Sequence, residues 1–224
     1  MQASQFIPHL ETQKAAIEKT LNIKRYPFNT LDNLQLVDRL FAASSLDLQE
    51  IISTGNILDV GCGDGDFGFY LSDEGHSVDL LDFEETNQNR MQMVFELSKV
   101  LSGNHTVTSI DLDRGLQALD STYSFAIALG LIYHLKNPFL FLNDLATLSN
   151  FAVVSTRILH GAVLPDKAAS AYLVDDHELG QDNTNFWLFN SRGLQRLAER
   201  CGWTVVSRVR FGDLKAGDHS ENRR

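Results

Sequence analysis

Hydrophobic and polar positions follow two periods along this chain, one typical of helices and one typical of buried strands. Residues 9–21 and 31–43 carry apolar side chains at helical spacing, with a break at Pro27 between them. From residue 55 onward, short apolar runs alternate with helical segments. The predicted strands are 56–60, 77–82, 105–110, 123–129, 151–157 and 203–211; the predicted helices are 66–74, 87–102, 113–119, 138–148 and 191–201. This rhythm predicts an α/β fold whose parallel sheet carries helices on both faces.

Two stretches depart from that rhythm. Residues 158–190 form a long polar segment after the predicted fifth strand, and loops of this length inside a compact domain are usually functional or mobile. The segment also contains large aromatic residues, a mixture typical of small-molecule sites. After Phe211 the chain is polar.

Composition narrows the class of protein. With 224 residues, 43% hydrophobic and 21% charged, the chain suits one soluble domain with a well-buried core. It has no apolar run long enough for a membrane span and no basic-then-apolar leader, so we expect a cytoplasmic protein. Cys62 and Cys201 do not suggest a disulfide framework. The net charge of −10 counts against a nucleic-acid partner without excluding one, and the oligomeric state stays unknown.

Residues 57–68 are the most informative stretch, because an apolar strand runs into a glycine-rich turn and then into a helix. Such a turn lets a ligand lie against bare backbone at the carboxyl end of the first strand. A dinucleotide site would need a third glycine where this chain has Asp66, and Asp64 would stand beside the pyrophosphate as well. The acidic turn therefore favours a ligand with a cationic head.

Asp59-Val-Gly61-Cys62-Gly63-Asp-Gly65 resembles the first motif of the class I S-adenosylmethionine (SAM)-dependent methyltransferases. The resemblance implies SAM as cofactor and a Rossmann-like, doubly wound, mostly parallel sheet of six or seven strands. It also implies an N-terminal helical lid, residues 1–50, on a SAM-binding domain, residues 51–224, with 158–190 as a substrate-capping insertion. The cofactor-binding residues that it implies are Asp59, Gly61, Cys62, Gly63, Asp82, Phe83, Asp111, Leu112 and Gly130.

Two of these expectations have alternatives. Asp82 ends the second predicted strand, where a carboxylate can accept hydrogen bonds from both ribose hydroxyls, but a dinucleotide enzyme would place an acid similarly. Tyr26 and Phe28 are candidate lid residues, and they could equally be packing aromatics.

Residues 130–138 and 185–191 are closest in motif to a subgroup that modifies the wobble uridine of tRNA with carboxy-SAM. That subgroup carries an arginine directly before Asn185, which matches the extra carboxylate of its cofactor. This chain has Thr184 there and is acidic, so ordinary SAM and an acceptor other than tRNA are favoured.

Candidate chemistry gathers after the fourth predicted strand. His134 is a candidate general base because its ordinary pKa is near neutral, although it could instead be a structural residue. Tyr133 is the second catalytic candidate, or a packing residue. The candidate substrate-binding residues are Arg157, Tyr172, Asn185 and Trp187. The alternative for Tyr172 and Trp187 is that they only seal the loop onto the core.

The sequence predicts methyl transfer to an oxygen or nitrogen nucleophile of a small molecule. The alternatives are a tRNA-modifying methyltransferase, a nucleotide-dependent oxidoreductase and a SAM-binding protein without catalysis. No metal is expected, since the histidines and acids show no C-x-x-C or H-x-x-x-H spacing. His160 and His177 could meet a substrate, but a solvated loop position is more common for such histidines.

Overall fold

The structure is a computed structural model, and it describes residues 5–159, 168–179 and 182–211. The helices are α1 (Phe6–Leu21), α2 (Leu34–Ala42), α3 (Leu48–Ile52), α4 (Asp66–Asp73), α5 (Gln92–Val100), α6 (Pro138–Leu148) and α7 (Ser191–Arg200). The strands are β1 (Ile57–Val60), β2 (Ser77–Asp82), β3 (Asn104–Ser109), β4 (Tyr123–Leu129), β5 (Ser149–Ser155), β6 (Ala171–Leu173) and β7 (Trp187–Phe189). Short 3-10 helices span Thr30–Asn33, Leu112–Arg114 and Ile132–His134.

Five strands form the main sheet in the order β3-β2-β1-β4-β5, and every neighbouring pair is parallel. The chain winds outward from β1 to β3 and then returns to add β4 on the other side of β1. Ligands of open α/β sheets bind at this switch point, outside the carboxyl ends of the strands. The predicted Rossmann-like, doubly wound class is confirmed.

The predicted strand count is wrong for the described part of the chain. Residues 203–211, predicted as a sixth strand, are not paired to any strand that the structure describes. Trp203 donates its indole N–H to the carbonyl of Leu142 in α6 at 2.9 Å, and Arg208 donates to Gln195 in α7 at 2.9 Å. Two side chains of the segment therefore contact α6 and α7. Residues 212–224, which include the polar end of the chain, lie outside the described residues.

The core lies on both faces of the sheet. In β1, Ile57 packs into the cluster that includes residues of α1 to α5, whereas Leu58 and Val60 pack into the cluster beneath α6 and α7. All four residues of β1 are buried, as expected for the central strand of a parallel sheet. The strand that leads into the glycine turn is thus held from both sides.

The segment predicted as an insertion, residues 158–190, contains two short strands that the sequence analysis did not predict. β6 and β7 pair antiparallel, and Leu159 N–H donates to the carbonyl of Phe189 at 2.8 Å. β7 therefore lies next to the residues that follow β5. His160 lies outside the described residues.

Candidate cofactor and active site

The glycine turn has a conformation that only glycine adopts without strain. Gly61, Gly63 and Gly65 have φ angles of 68°, 62° and 84°. The N–H groups of Gly61 and Cys62 both donate to the carbonyl of Leu81, at 2.8 and 3.0 Å. The turn follows β1 in the chain, and these hydrogen bonds attach it to the carboxyl end of β2. A Cβ atom on Gly63 would lie 3.1 Å from Cδ1 of Tyr26. The candidate lid residue Tyr26 therefore lies directly against the turn.

Asp82 faces the glycine turn from the end of β2. One carboxylate oxygen accepts from the N–H of Gly63 at 2.9 Å and from the side-chain amide of Asn87 at 3.0 Å, and the other accepts from Phe83 N–H at 2.7 Å. Burial raises the pKa of Asp82, and these hydrogen bonds oppose the rise. The predicted residues Gly63, Asp82 and Phe83 are thus brought together.

Asp59 and Cys62 lie inside the turn. The Asp59 carboxylate is buried and accepts from the N–H of Gly68 in α4 at 3.0 Å. Burial raises the pKa of Asp59 to about 7, although the hydrogen bond from Gly68 opposes the rise. Burial also raises the pKa of the Cys62 thiol. In this structure Asp59 supports the backbone that forms the turn.

Asp64 and Asp66 do not face the ligand side as the sequence argument assumed. Both are buried, and both form ion pairs with Lys14 of α1; the Lys14 Nζ–Asp64 Oδ2 distance is 3.5 Å. Asp64 also accepts from the side-chain amide of Asn89 at 2.8 Å. The argument that these acids select a cationic cofactor is therefore wrong in its physical cause, because both side chains are buried and paired with Lys14.

The segment after α1 adds two further hydrogen bonds to the turn. Tyr26 N–H donates to Asp64 at 2.7 Å, and Thr30 Oγ1 accepts from Phe67 N–H at the start of α4 at 3.1 Å. The ring of Phe28 packs edge-on against Tyr26, with centroids 5.6 Å apart. These contacts fasten the N-terminal residues to the glycine turn, and their role as a lid stays a prediction.

Asp111 and Leu112 follow the end of β3, and Gly130 follows the end of β4. The N–H of Ile110 donates to the Asp82 carbonyl at 2.9 Å, which keeps Asp111 close to Asp82 along the sheet edge. Leu112 is buried, and Asp111 caps its short helix by accepting from Asp113 N–H at 3.1 Å.

Gly130 ends β4 and leaves open space. Its φ is 67°, and the only atom within 4 Å of a Cβ built there is the Tyr133 hydroxyl oxygen, at 3.9 Å, among the atoms that the structure describes. Its N–H donates to the carbonyl and hydroxyl of Ser155, at 3.0 and 2.8 Å.

His134 and Tyr133 follow β4 in a short 3-10 helix. Their rings lie 4.0 Å apart between centroids, and the guanidinium carbon of Arg157 lies 5.2 Å from the Tyr133 ring. His134 Nδ1 lies 2.9 Å from Thr184 Oγ1 and 3.1 Å from the Thr184 carbonyl oxygen. Thr184 Oγ1 donates to Asp182 at 2.6 Å. Two distant parts of the chain therefore meet at this histidine.

The four predicted substrate-binding residues divide into two pairs. Arg157 contacts Tyr133, and buried Asn185 holds the turn beside His134 by donating to the carbonyls of Leu179 and Asp182 at 3.2 and 3.1 Å. Trp187 donates to the carbonyl of Lys136 at 3.2 Å and stacks on Phe189, and the Tyr172 hydroxyl donates to Glu178 at 2.8 Å. Trp187 therefore contacts the segment that follows His134, and Tyr172 bonds within its own exposed loop, so a part for either residue in substrate binding stays a prediction.

Sequence reasoning missed Lys14, Asp182 and the part that Thr184 plays. Lys14 could have been found, because Leu10, Lys14 and Ile17 recur at helical spacing on one face of α1 and all three are buried. A lysine on a buried helical face needs an acidic partner. Asp182 carries no such signal, since only the folded loop brings it to His134.

Two features are absent from the described residues. No cluster of three or more histidine, cysteine or acidic side chains in residues 5–159, 168–179 and 182–211 has a metal-binding arrangement. Over the same ranges, none of the helices combines the length and hydrophobicity that a bilayer span requires.

A doubly wound sheet with a glycine turn at its switch point defines a Rossmann-like nucleotide-binding class. Within that class, a family model described as "Methyltransferase domain" matches residues 28–208. The chain belongs to this family and is a SAM-dependent methyltransferase. The residues present fit SAM, since the Gly63 N–H and the Asp82 carboxylate meet at the switch point, and the Tyr133 hydroxyl oxygen is the only described atom within 4 Å of a Cβ built on Gly130. No curated protein matches the sequence.

Solved structures share the fold at low sequence identity. The N-terminal domain of EvdMO1, solved with S-adenosylhomocysteine (SAH) bound, is 21% identical, with a TM-score of 0.56 over 85% of each chain. The same domain was also crystallised in the presence of SAH and D-fucose. The [4+2]-cyclase SpnF is 15% identical, with a TM-score of 0.53 over 75% of this chain and 56% of its own.

Proposed function

We propose that this enzyme methylates an oxygen or nitrogen nucleophile of a small molecule, with His134 as general base. The observation that carries the proposal is the position of His134, four residues beyond Gly130 at the carboxyl end of β4, with its ring fixed by Thr184. A base at this edge of the sheet stands next to the proposed cofactor site. The reaction needs such a group when the acceptor must lose a proton.

The proposed cofactor contacts follow the strand ends. The backbone of the glycine turn (residues 61–65) accommodates the methionine part of SAM, and the Asp82 carboxylate accepts the ribose hydroxyls. Asp111 and Leu112 are assigned to the adenine, and Gly130 to the space nearest the methyl group. Asp59 and Cys62 belong to the site through the turn that they support. The bound cofactor supplies an electrophilic methyl group on a sulfonium, so the protein mainly has to align the acceptor.

The proposed acceptor pocket lies between the ends of β4 and β5. The Tyr133 hydroxyl oxygen lies 3.9 Å from the position that a Cβ atom would take on Gly130, and Arg157 supplies a positive charge beside the Tyr133 ring. Asn185 holds the loop that closes this side. Tyr172 in β6 and Trp187 in β7 would form the outer part of the same wall.

Charge and Thr184 support a small-molecule acceptor over tRNA. The net charge of −10 does not attract a polyanion. Where the tRNA-modifying subgroup has an arginine for a carboxylated cofactor, Thr184 bonds to His134 and Asp182. The D-fucose present in the EvdMO1 crystals makes hydroxylated sugars a reasonable part of an acceptor panel. A cytoplasmic location is part of the proposal.

The test is transfer of label from methyl-labelled SAM into a fractionated metabolite extract and, separately, into bulk tRNA. We expect label in the low-molecular-weight fraction, and a loss of about a hundredfold or more in rate for His134→Gln. The matched control is His177→Gln, because His177 is exposed and its described contacts are with its own loop, the ring with Asp176 and the backbone N–H with Asp175. Label in tRNA alone would support the tRNA alternative. SAM binding without label in either pool would identify a binding protein.

A further inference from the structure

Three side chains form a line that ends at the proposed base. His134 Nδ1 lies 2.9 Å from Thr184 Oγ1, and that hydroxyl lies 2.6 Å from Asp182 Oδ1. An ionised carboxylate only accepts hydrogen bonds, so the threonine hydroxyl donates to Asp182. Its oxygen is then an acceptor toward His134. The Thr184 carbonyl, 3.1 Å from the same nitrogen, can only accept as well.

Both acceptors require a proton on Nδ1 of the neutral ring. A neutral imidazole carries one N–H, so Nε2 then holds the lone pair. Burial raises the pKa of Asp182, but hydrogen bonds from Thr184 and the charges of His134 and Arg157 outweigh it, so the pKa lies below its usual value. Asp182 is therefore ionised at neutral pH, as this direction of hydrogen bonding requires.

The turn that carries Asp182 and Thr184 is held by its own contacts. Thr184 N–H donates to Asp182 at 3.0 Å, and the Asn185 amide donates to the Leu179 and Asp182 carbonyls. Phe186 N–H donates to the carbonyl of Tyr133 at 2.8 Å, which joins this turn to the helix that bears His134. The line of three groups thus rests on two segments fixed to each other.

We propose that Thr184 and Asp182 are positioning residues that hold His134 in the Nδ1–H tautomer, and that the acceptor is a hydroxyl group. This inference rests on the proposed function. The acceptor O–H gives its proton to His134 Nε2 while its oxygen forms a bond to the methyl carbon. The carbon–sulfur bond of SAM breaks and its electron pair stays on sulfur, which yields SAH. The imidazolium is stabilised by Asp182 through Thr184.

The choice of oxygen follows from what the base is needed for. A neutral amine attacks with its own lone pair and can lose its proton afterwards, whereas a hydroxyl is a poor nucleophile until a base removes its proton. A histidine backed by a carboxylate is the arrangement that activates hydroxyls. An amine acceptor would not need the base that Thr184 and Asp182 position.

Nitrogen-15 NMR of the histidine rings tests the tautomer without any acceptor. The protein has seven histidines, so the His134 signals are assigned from their loss in His134→Gln. We expect the neutral ring of His134 to carry its proton on Nδ1. A neutral ring protonated on Nε2 would overturn the proposal.

A pH titration of the same signals tests whether the Asp182 carboxylate raises the pKa of His134. The described charged or titratable groups around His134 are Asp182, Arg157 and Tyr133. Removing the negative charge in Asp182→Asn should lower the pKa of His134 by about one unit. The acidic limb of the kcat/KM profile should move by the same amount. An unmoved pKa would contradict the proposal.

Kinetics of two threonine variants separate positioning from simple packing. Thr184→Val keeps the shape and should lower kcat for a hydroxyl acceptor about tenfold or more, with the Kd for SAM unchanged. Thr184→Ser restores the hydroxyl and should restore most of kcat. Thr147→Val is the matched control, because Thr147 bonds only its own helix, at the Asp144 carbonyl, among the described contacts. Full activity in the valine variant with a loss in the serine variant would argue for packing alone.

The outcomes distinguish the two proposals. If the tautomer and titration are as expected but no acceptor is methylated, the proposed function fails and the positioning stands. If a hydroxyl is methylated by an enzyme whose His134 is protonated on Nε2, the function stands and the positioning fails.

Discussion

Carboxylates of one residue type behave differently in this site because of what each one touches. Asp59 is buried beneath α4 and receives a single backbone hydrogen bond, from Gly68. Asp82 receives three hydrogen bonds and faces the turn, whereas Asp66 is balanced by Lys14. Burial raises the pKa of all three. The contacts of each carboxylate, and not its residue type, therefore distinguish the three acids.

Asp82→Ala should weaken SAM binding by about 1.5–3 kcal/mol, the range for hydrogen bonds to a charged group. The expected cause is loss of the acceptor for the ribose hydroxyls, and isothermal calorimetry measures it. The control is Asp79→Ala, from the same strand, whose carboxylate accepts from Tyr123 and Thr106 instead. An unchanged SAM affinity in Asp82→Ala would show that another residue binds the sugar.

Asp59→Asn should make the protein more stable at pH 8. The pKa of Asp59 is raised from 3.8 to about 7 in the folded state, so the folded protein holds the proton more tightly than the unfolded chain. Its contribution favours folding below about pH 4 and is lost progressively up to about pH 7. The asparagine carries no charge to bury, and we expect a gain of about 1–3 kcal/mol at pH 8.

Urea unfolding at pH 4.5 and pH 8 measures this difference. Wild-type protein should lose more stability than Asp59→Asn across that interval, because only wild type must ionise the buried group. Parallel pH dependences in the two proteins would show that Asp59 keeps an ordinary carboxyl pKa.

At the scale of elements, α1 is joined by ion pairs to the glycine turn and to the first residue of α4. Lys14 of α1 balances Asp64 and Asp66, and Thr30 accepts from the first turn of α4. The N-terminal residues therefore help to hold the glycine turn in its conformation.

Lys14→Met should destabilise the protein by about 3–5 kcal/mol, because it leaves two buried carboxylates without their cation. SAM affinity should fall as well, since the turn would lose the contact that orders it. Urea unfolding and calorimetry give the two quantities. Lys19→Met is the control, because Lys19 is exposed on the same helix. A loss equal to that of the control would mean that the pair contributes no net stability.

The sequence predicted elements well wherever local pattern and burial agree. β2 and α6 have the predicted bounds, since each is an uninterrupted apolar pattern between clear stop signals. The strands β6 and β7 were missed because a strand of three residues is too short to show an alternating pattern. Residues 203–211 alternate between apolar and polar side chains without pairing to a described strand, and Trp203 contacts α6 instead. Of the site, the turn and Asp82 could be predicted, whereas the contact of Thr184 with His134 depends on tertiary structure.

At the scale of the whole molecule, the site depends on the order of the strands. β1 and β4 are neighbours although the chain builds β2 and β3 between them, and this brings the glycine turn next to Gly130 and His134. The N-terminal residues then reach the turn through Lys14 and Tyr26. A cofactor at this switch point contacts segments from across the chain, so its binding should stabilise the folded protein as a unit.

SAM at one hundred times its Kd should add about 2.7 kcal/mol to the free energy of unfolding. For a chain of this size each kcal/mol raises Tm by about 2–4 °C, so we expect a rise of about 5–10 °C in a thermal melt. NAD at the same concentration should leave Tm unchanged, since the chain belongs to a methyltransferase family and uses SAM. The Asp82→Ala variant should show a smaller rise with SAM at equal concentration. A rise with NAD and none with SAM would contradict the cofactor, and with it every role assigned to the glycine turn.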